Sequence, residues 1–574
     1  MLCHSTAFAQ AVDSGALQRQ QRALDRPVIP PTPPPDTSTL RVEEPRPQNN
    51  VAPSGGKLFV SRFKLLTPSP LLSDAELNAL LVSYVGRENT VAELQSATER
   101  VSAEIRARGY IFSRVLVPQQ EVMDGVIALE LIPGKLSTQA DGQRGINITP
   151  KGAMRLDEQR ARNVVASAVN DPQGLNVREL ERGMLLLNDL PGVRGTGLIV
   201  PGREPGTLDL ALDIGEERMF GGWFGVDNFG SRATGEARAV ADMHLFNPSG
   251  RGDAAELYLS RSEDTWSATA SYSLPLGLSG LRGRVAASYM DYALQETFAD
   301  VDADGDSSWY SAGLSYPLRR GRYSSLFLTG TIDAKRLRDR TIDINTSSRD
   351  SESASVGVQG THVLANNMRL LDYSVTLTGG SLDRSGNADD LFVDQVTRQT
   401  DGDYGIARIT GNWLEQLAPR FSLSAALEMQ FADSNLDTSE KMYLGGPRGI
   451  RAYPLEEAGS DEAQSLSIEA RWLAAQLPQW RGQEWTLFGL FDVGRAVRNH
   501  NLWTGWNTGM PQLRNDYVLK GYGVGIRGQI ARVLQVEVVG AHTLGDNPGA
   551  SVTGLNADGR SDDSRFWAVA SISF

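Results

Sequence analysis

Few residues of this chain are spaced to do chemistry, and the most tempting run fails a geometric test. Asp300-Val301-Asp302-Ala303-Asp304-Gly305 opens like a calcium loop, in which alternating carboxylates supply hard oxygen ligands and a glycine makes the turn. Such a loop closes with a bidentate glutamate at its twelfth position, which here is Ser311. The stretch is therefore read as an acidic outer loop, and no metal is expected. The five histidines are scattered without H-E-x-x-H spacing, and a single cysteine excludes a disulfide scaffold or a cysteine zinc site. No nucleotide-binding loop or nucleophile elbow occurs, so the chain is read as a non-enzyme with no cofactor. Arg451 and Asp492 keep a claim, because a guanidinium can grip a carboxylate through two charge-assisted hydrogen bonds. Spacing alone leaves Arg451 equally well a solvated loop charge.

Composition narrows the class. Acidic side chains outnumber basic ones, 69 against 56, and the formal net charge of −13 disfavours nucleic acid as a partner. No run approaches the ~20 apolar residues that a spanning helix needs. Met184 to Leu187 is the most apolar and is far too short. A membrane could then be crossed only by a closed barrel, because every backbone polar group must be paired inside hydrocarbon. Ala7-Phe8-Ala9 has the small-x-small form of a signal-peptidase site, so residues 1–11 are read as the remnant of a signal peptide that starts upstream and takes Cys3 with it.

The elements that would position the charged candidates follow in four textures. Residues 12–26 form a short polar helix with Leu17 and Leu24 two turns apart and Arg19 and Arg22 between them. Residues 27–56 are proline-rich and read as an extended tether. Over 57–135 the pattern is β-α-α-β-β, with capping boxes at Ser73–Glu76 and Thr90–Glu93, a helix stop at Gly109 and a hairpin around Asp124-Gly125. The same order recurs over 136–215, where Asn176 caps a helix that runs to Leu187 and strands follow near Val193 to Val200 and Thr207 to Ile214.

From residue 216 to 574 the texture becomes strict two-residue alternation. In Phe421 to Phe431 the odd positions are apolar, while Ser422, Ser424, Glu428 and Gln430 face the other way. Apolar-out and polar-in alternation is what lipid outside and water inside demand. Aromatic residues near strand ends (Trp223, Trp266, Tyr272, Trp472, Trp485, Trp567) are read as a girdle, and Phe574 as the residue that closes the last strand. At roughly 22 residues per strand and turn the segment suits about 16 antiparallel strands, with fourteen or eighteen open on counting alone. Arg251-Gly252-Asp253 spells an adhesion tripeptide but stands in a tight glycine-rich turn expected to face the periplasm.

At this point the chain resembles a known family. Leu444-Gly-Gly-Pro-Arg-Gly449-Ile-Arg451-Ala-Tyr453 looks like the loop motif of two-partner secretion outer-membrane transporters, the TpsB family of haemolysin and filamentous haemagglutinin secretion-activation proteins (ShlB/FhaC/HecB type). Gly489-Leu-Phe491-Asp492-Val-Gly494 resembles the strand motif that faces that loop, and Leu186 to Gly192 and Asp227 to Gly235 add further similarity. One departure is Ala452, where the family usually has glycine.

The resemblance implies a sixteen-stranded barrel in the bacterial outer membrane, two polypeptide-transport-associated (POTRA) domains in the periplasm, a plug helix and a loop around 440–462 folded inward. It implies a latch of Arg451, Tyr453, Gly449, Phe491, Asp492 and Gly494, with Asp492 and Gly494 on the lumenal face by period-two reading. Partner binding is expected at the second POTRA domain around Asn188, Asp189, Leu190, Pro191 and Gly192. The implied client is a large secreted β-helical protein such as an adhesin or haemolysin, recognised unfolded by strand addition to a sheet edge and drawn out by its own folding outside. Outer-membrane lipids and the outer-membrane assembly machinery are the other expected partners. The alternative is an insertase of the same superfamily, against which the plug and its tether argue.

Overall fold

The computed structural model describes residues 12–24, 40–42, 56–139, 142–169, 173–204, 206–294, 302–342, 344–364, 368–474, 483–508, 512–531 and 533–574. The expected signal remnant, most of the proline-rich tether and Asp300 lie outside them.

The first small domain forms because its helix ends are satisfied locally and one face of each helix is apolar. Ser73 and Thr90 accept from the backbone of Glu76 and Glu93, whose carboxylates reach back to the cap amides. Those hydrogen bonds hold both carboxyls down at about 2. The helix Val91–Ala107 presents Leu94, Ala97, Val101 and Ile105 to a core that also holds Phe63, Leu77 and Leu129. Arg62–Leu65 runs parallel to Val126–Ile132, which pairs antiparallel with Arg114–Leu116, and Asp124 and Gly125 turn the chain with φ of 54° and 70°. Removing one such side chain, as in Ile105→Ala, would cost about 2–5 kcal/mol.

The second domain repeats the plan. Asp157 and Asn176 cap the helices Glu158–Ala168 and Val177–Asn188, and Gly183 lets them meet where a Cβ would stand 2.8 Å from the Val165 carbonyl. Its sheet pairs Val193–Pro201 antiparallel with Thr207–Glu216, which takes Ile146–Pro150 in parallel. On the far side of Val193–Pro201 lies Leu40–Val42, parallel, with Leu40 opposite Gly197. A piece of the tether thus forms part of this domain's sheet.

Sixteen antiparallel strands, from Phe220–Asp227 to Ser564–Ser573, pair in sequence order and close into a barrel. Closure runs from Trp223 opposite Ser573 to Asp227 opposite Val569, and Phe574 exchanges backbone bonds with Gly222 and packs its ring on Phe220 and Phe224. In Phe421–Ala432 the side chains of Ser424 and Gln430 are buried inside while Phe421, Leu427 and Phe431 are exposed outside. The same alternation corrects the girdle in two places. Trp223 and Trp567 sit on lumenal positions and donate their indole N–H to Asp242 and to the Arg451 carbonyl. The acidic stretch at Asp304 is likewise strand, not loop. It opens the sixth strand Ala303–Arg320, where Arg340 of the seventh, Ser324–Thr341, binds Asp304 and Asp306.

The sixth, the seventh and the eighth strand, Ile344–Leu364, have 18, 18 and 21 residues, where about 9–11 span a bilayer. Arg320, at the low end of the sixth, holds Asp189 of the second domain through two bonds of 2.9 and 2.7 Å, so the excess length projects at the opposite end.

Candidate functional site in the barrel lumen

The chain between the eleventh strand, Phe421–Ala432, and the twelfth, Glu462–Leu473, does not leave the barrel. It folds into the lumen, and every residue from 451 to 460 is buried. Its tip is a compact knot. The Gly446 amide donates to Tyr453 O and the Ile450 amide to Leu444 O. Gly446 has φ +102°, the left-handed region that a side chain strains, and a Cβ on Gly449 would stand 2.1 Å from Leu444 O. Tyr453 is fully buried in a cluster with Met442, Leu444, Ile450, Tyr517 and Leu519.

The knot presents Arg451 to the wall. On the thirteenth strand, Glu484–Val497, Phe488, Leu490, Asp492, Gly494 and Ala496 are buried and face inward. Asp492, 1 % exposed, accepts from Arg451 Nε at 3.0 Å, from a terminal Arg451 nitrogen at 2.7 Å and from the Arg451 backbone amide at 3.0 Å. Ser467, opposite Asp492 on the twelfth strand, accepts from Arg451 at 2.7 Å and donates to Asp492 at 2.6 Å. Glu469 takes the remaining guanidinium nitrogen and is itself held by Arg471. A buried charge set is tolerable when every hydrogen-bonding direction is used in this way, and removing one member strands the rest. Ser467 and Glu469 escaped the sequence reading, although both fall on lumenal positions of an alternating strand.

Two glycines make room for the knot. A Cβ on Gly494 would meet Ile450 at 2.8 Å and Leu444 at 3.1 Å, and one on Gly521 of the fourteenth strand, Asp516–Ile530, would meet the Ala452 methyl at 2.7 Å. The alanine that departs from the family pattern thus sits over a glycine in the wall. Phe491 corrects the expected latch set: period two turns it outward, 37 % exposed, away from Arg451.

The helix Ser14–Leu24 lies in the same lumen. Leu17 packs on Met290 and Tyr292, and Leu24 on Phe229, Leu455 and Trp567. Arg19 Nε donates to Lys441 O at 3.3 Å, Arg22 stands 4.1 Å over the Trp309 ring, and Arg448 of the loop donates to Leu24 O at 2.9 Å. The anchor that sequence reading missed is at the helix start. Asp13 caps it through the Ala16 amide, and the Ser14 amide donates to Asp339 at 2.8 Å, so carboxylates meet the positive end of the helix dipole. Buried Arg349 of the eighth strand, Ile344–Leu364, ties Asp13, Asp339 and the loop's Asp437 together at 3.2, 2.6 and 2.7 Å. The contacts of Asp13 with Arg349 and of Ser14 with Asp339 span 336 and 325 positions, which no local pattern shows. A cavity of about 780 Å³, lined among others by Arg19, Arg22, Arg284, Asp372 and Glu428, remains between helix and wall.

The segment Asn188–Gly192, the expected partner-binding set, lies at the junction of the second domain with the barrel. Asn188 closes its own domain through Gly195, Asp189 is taken by Arg320, and Leu190 is buried against Gly252 of the turn 247–253. Pro191 turns the chain, and Gly192, φ +73°, faces Phe246 where a Cβ would stand at 2.8 Å. These residues are the seat of the second domain on the barrel. The same junction uses up Arg251-Gly252-Asp253, since Asp253 is 1 % exposed and accepts from Tyr272 at 2.6 Å.

The description "Haemolysin secretion/activation protein ShlB/FhaC/HecB" fits residues 206–528, more than half of the chain, and "POTRA domain, ShlB-type" fits residues 58–134. The chain is 25 % identical over 490 residues to the heme/hemopexin transporter protein HuxB of Haemophilus influenzae, covering 81 % of this chain and 83 % of that one. It is 24 % identical over 437 residues to the outer membrane transporter CdiB of Dickeya dadantii, covering 74 % of each. The solved structure of CdiB from Escherichia coli superposes with a TM-score of 0.74 over 99 % of this chain and all of that one, at 20 % identity, which shows the shared fold.

Proposed function

The chain belongs to the haemolysin secretion/activation family ShlB/FhaC/HecB, outer-membrane transporters of two-partner secretion with periplasmic POTRA domains, and we propose that it captures an unfolded secreted partner at the second POTRA domain and exports it through the lumen. One arrangement supports the reading. A single N-terminal segment places Ser14–Leu24 in the lumen and covers the edge strand Val193–Pro201 with Leu40–Val42. Main-chain hydrogen bonds at a sheet edge are indifferent to sequence, so an extended client can replace a three-residue strand by pairing over a longer run. Replacement frees the tether, and with it the helix that blocks the path. The lumenal helix is held mostly by polar and ionic contacts, which water in the lumen can take over once it moves.

The test locks the edge. In a Cys3→Ser background, Leu40→Cys with Gly197→Cys, which are register partners, should form a disulfide that abolishes capture of the client's amino-terminal region and export, both restored by reductant. Undiminished export by the oxidised protein would refute the coupling.

A further inference from the structure

The outer wall of the barrel carries an apolar groove of about 750 Å³ across the junction of its first and last strands. Its sides are Phe224 and Val226 on the first strand and Ile572 on the last, 53, 60 and 52 % exposed. Ala239 and Ala241 of the second strand, Arg238–Phe246, and Ala570 of the last are small where their neighbours are large, which leaves a channel. All these positions point away from the lumen, so the groove opens to the face that meets lipid, and its apolar lining suits an acyl chain.

One end of the groove is charged. Arg261 ends the third strand, Ala254–Arg261, points outward, is exposed, and has no ion pair or side-chain hydrogen bond among the described residues. Its register partner is Trp266, whose ring lies 5.3 Å from Tyr289. The turn 247–253 that precedes this strand packs on the second POTRA domain, so Arg261 stands at the cell-surface end, while Leu534 and Ile572 line the periplasmic end. A guanidinium beside interfacial aromatics, above an acyl channel, suits a phosphate group held at the level of the outer leaflet. Glu263 and Asp264 in the turn beyond it repel an anion arriving from water and favour one that approaches along the groove.

We propose that this groove binds one phosphorylated, multi-acyl glycolipid of the outer leaflet, with an acyl chain across the strand junction and a phosphate on Arg261. The ligand would touch both sides of a closure that has five registered pairs, against eight and nine in the adjoining ladders, and so would strengthen the shortest seam in that stretch.

The experiment measures glycolipid retained per barrel by native mass spectrometry after extraction of the full-length protein in mild detergent. Wild type should keep about one molecule, Arg261→Ala and Ala241→Phe should each lower retention about fivefold, and Arg261→Lys should keep part of it. Arg336→Ala, an exposed outward arginine on the seventh strand, should retain as wild type does. Unchanged retention in Arg261→Ala, equal loss in Arg336→Ala, or a glycerophospholipid found in place of the glycolipid would each overturn the proposal.

Discussion

Arg451 holds Asp492 with its backbone amide and two guanidinium nitrogens at once, so a single carboxylate fixes both the position and the direction of the lumenal loop. The contact is one side of a set, since the same guanidinium also binds Glu469 and Ser467.

That asymmetry gives the first prediction. Arg451→Ala leaves two buried carboxylates facing each other, whereas Asp492→Ala leaves the arginine with Glu469. Export should fall severely in both, and further in Arg451→Ala, with loop-seating losses of about 3–5 kcal/mol. Arg451→Lys should rescue partly, because an ammonium lacks the planar fork. The double variant should be no worse than Arg451→Ala; losses that simply add in an export assay would mean that the two residues act independently.

The packing over the wall gives a second. Gly521→Ala places a methyl on the Ala452 methyl and should cost about 1–3 kcal/mol of loop seating. Adding Ala452→Gly should restore export and protease resistance of the loop. A double variant as impaired as Gly521→Ala alone would show that the contact does not decide the seat.

A third concerns the lumenal helix. Gly15 lies so close to the loop that a Cβ would stand 2.6 Å from Thr438 and 2.9 Å from the Ser439 amide. Gly15→Val should therefore unseat the helix and raise single-channel conductance towards that of a protein lacking residues 13–26. Planar-bilayer recordings with unchanged conductance in the deletion would remove the helix from its blocking role.

The fourth separates seating from capture. Asp189→Ala breaks the bond to Arg320, a partly exposed pair whose loss should cost about 1 kcal/mol or less. Pull-down of the client's amino-terminal region should be unaffected, while export slows and recovers with the swapped pair Asp189→Arg and Arg320→Asp. Loss of pull-down with Asp189→Ala would return Asn188–Gly192 to the client-binding surface.

Much of the fold was legible because its signals are local. Ser73 and Thr90 cap helices through residues three positions on, Asp124-Gly125 turns a hairpin by its own backbone preference, and period two in Phe421 to Phe431 sorts lipid-facing from lumenal side chains without reference to any neighbour. The same period placed Asp492 and Gly494 on one face and, followed strictly, puts Phe491 on the other. The sequence by itself therefore determined the broad order of elements, the barrel class and, where the two-residue period is followed strictly, the face a strand residue takes.

Tertiary structure alone decided what meets across the lumen and at the domain junction. Arg349 joins Asp13 to Asp437 over separations of 336 and 88 residues, Ala452 finds its room at Gly521, and Leu190 finds its cover at Gly252. Barrel closure, strand stagger and the inward turn of residues 433–461 set these meetings. Each depends on the summed register of many strands, a quantity that no short window of sequence contains.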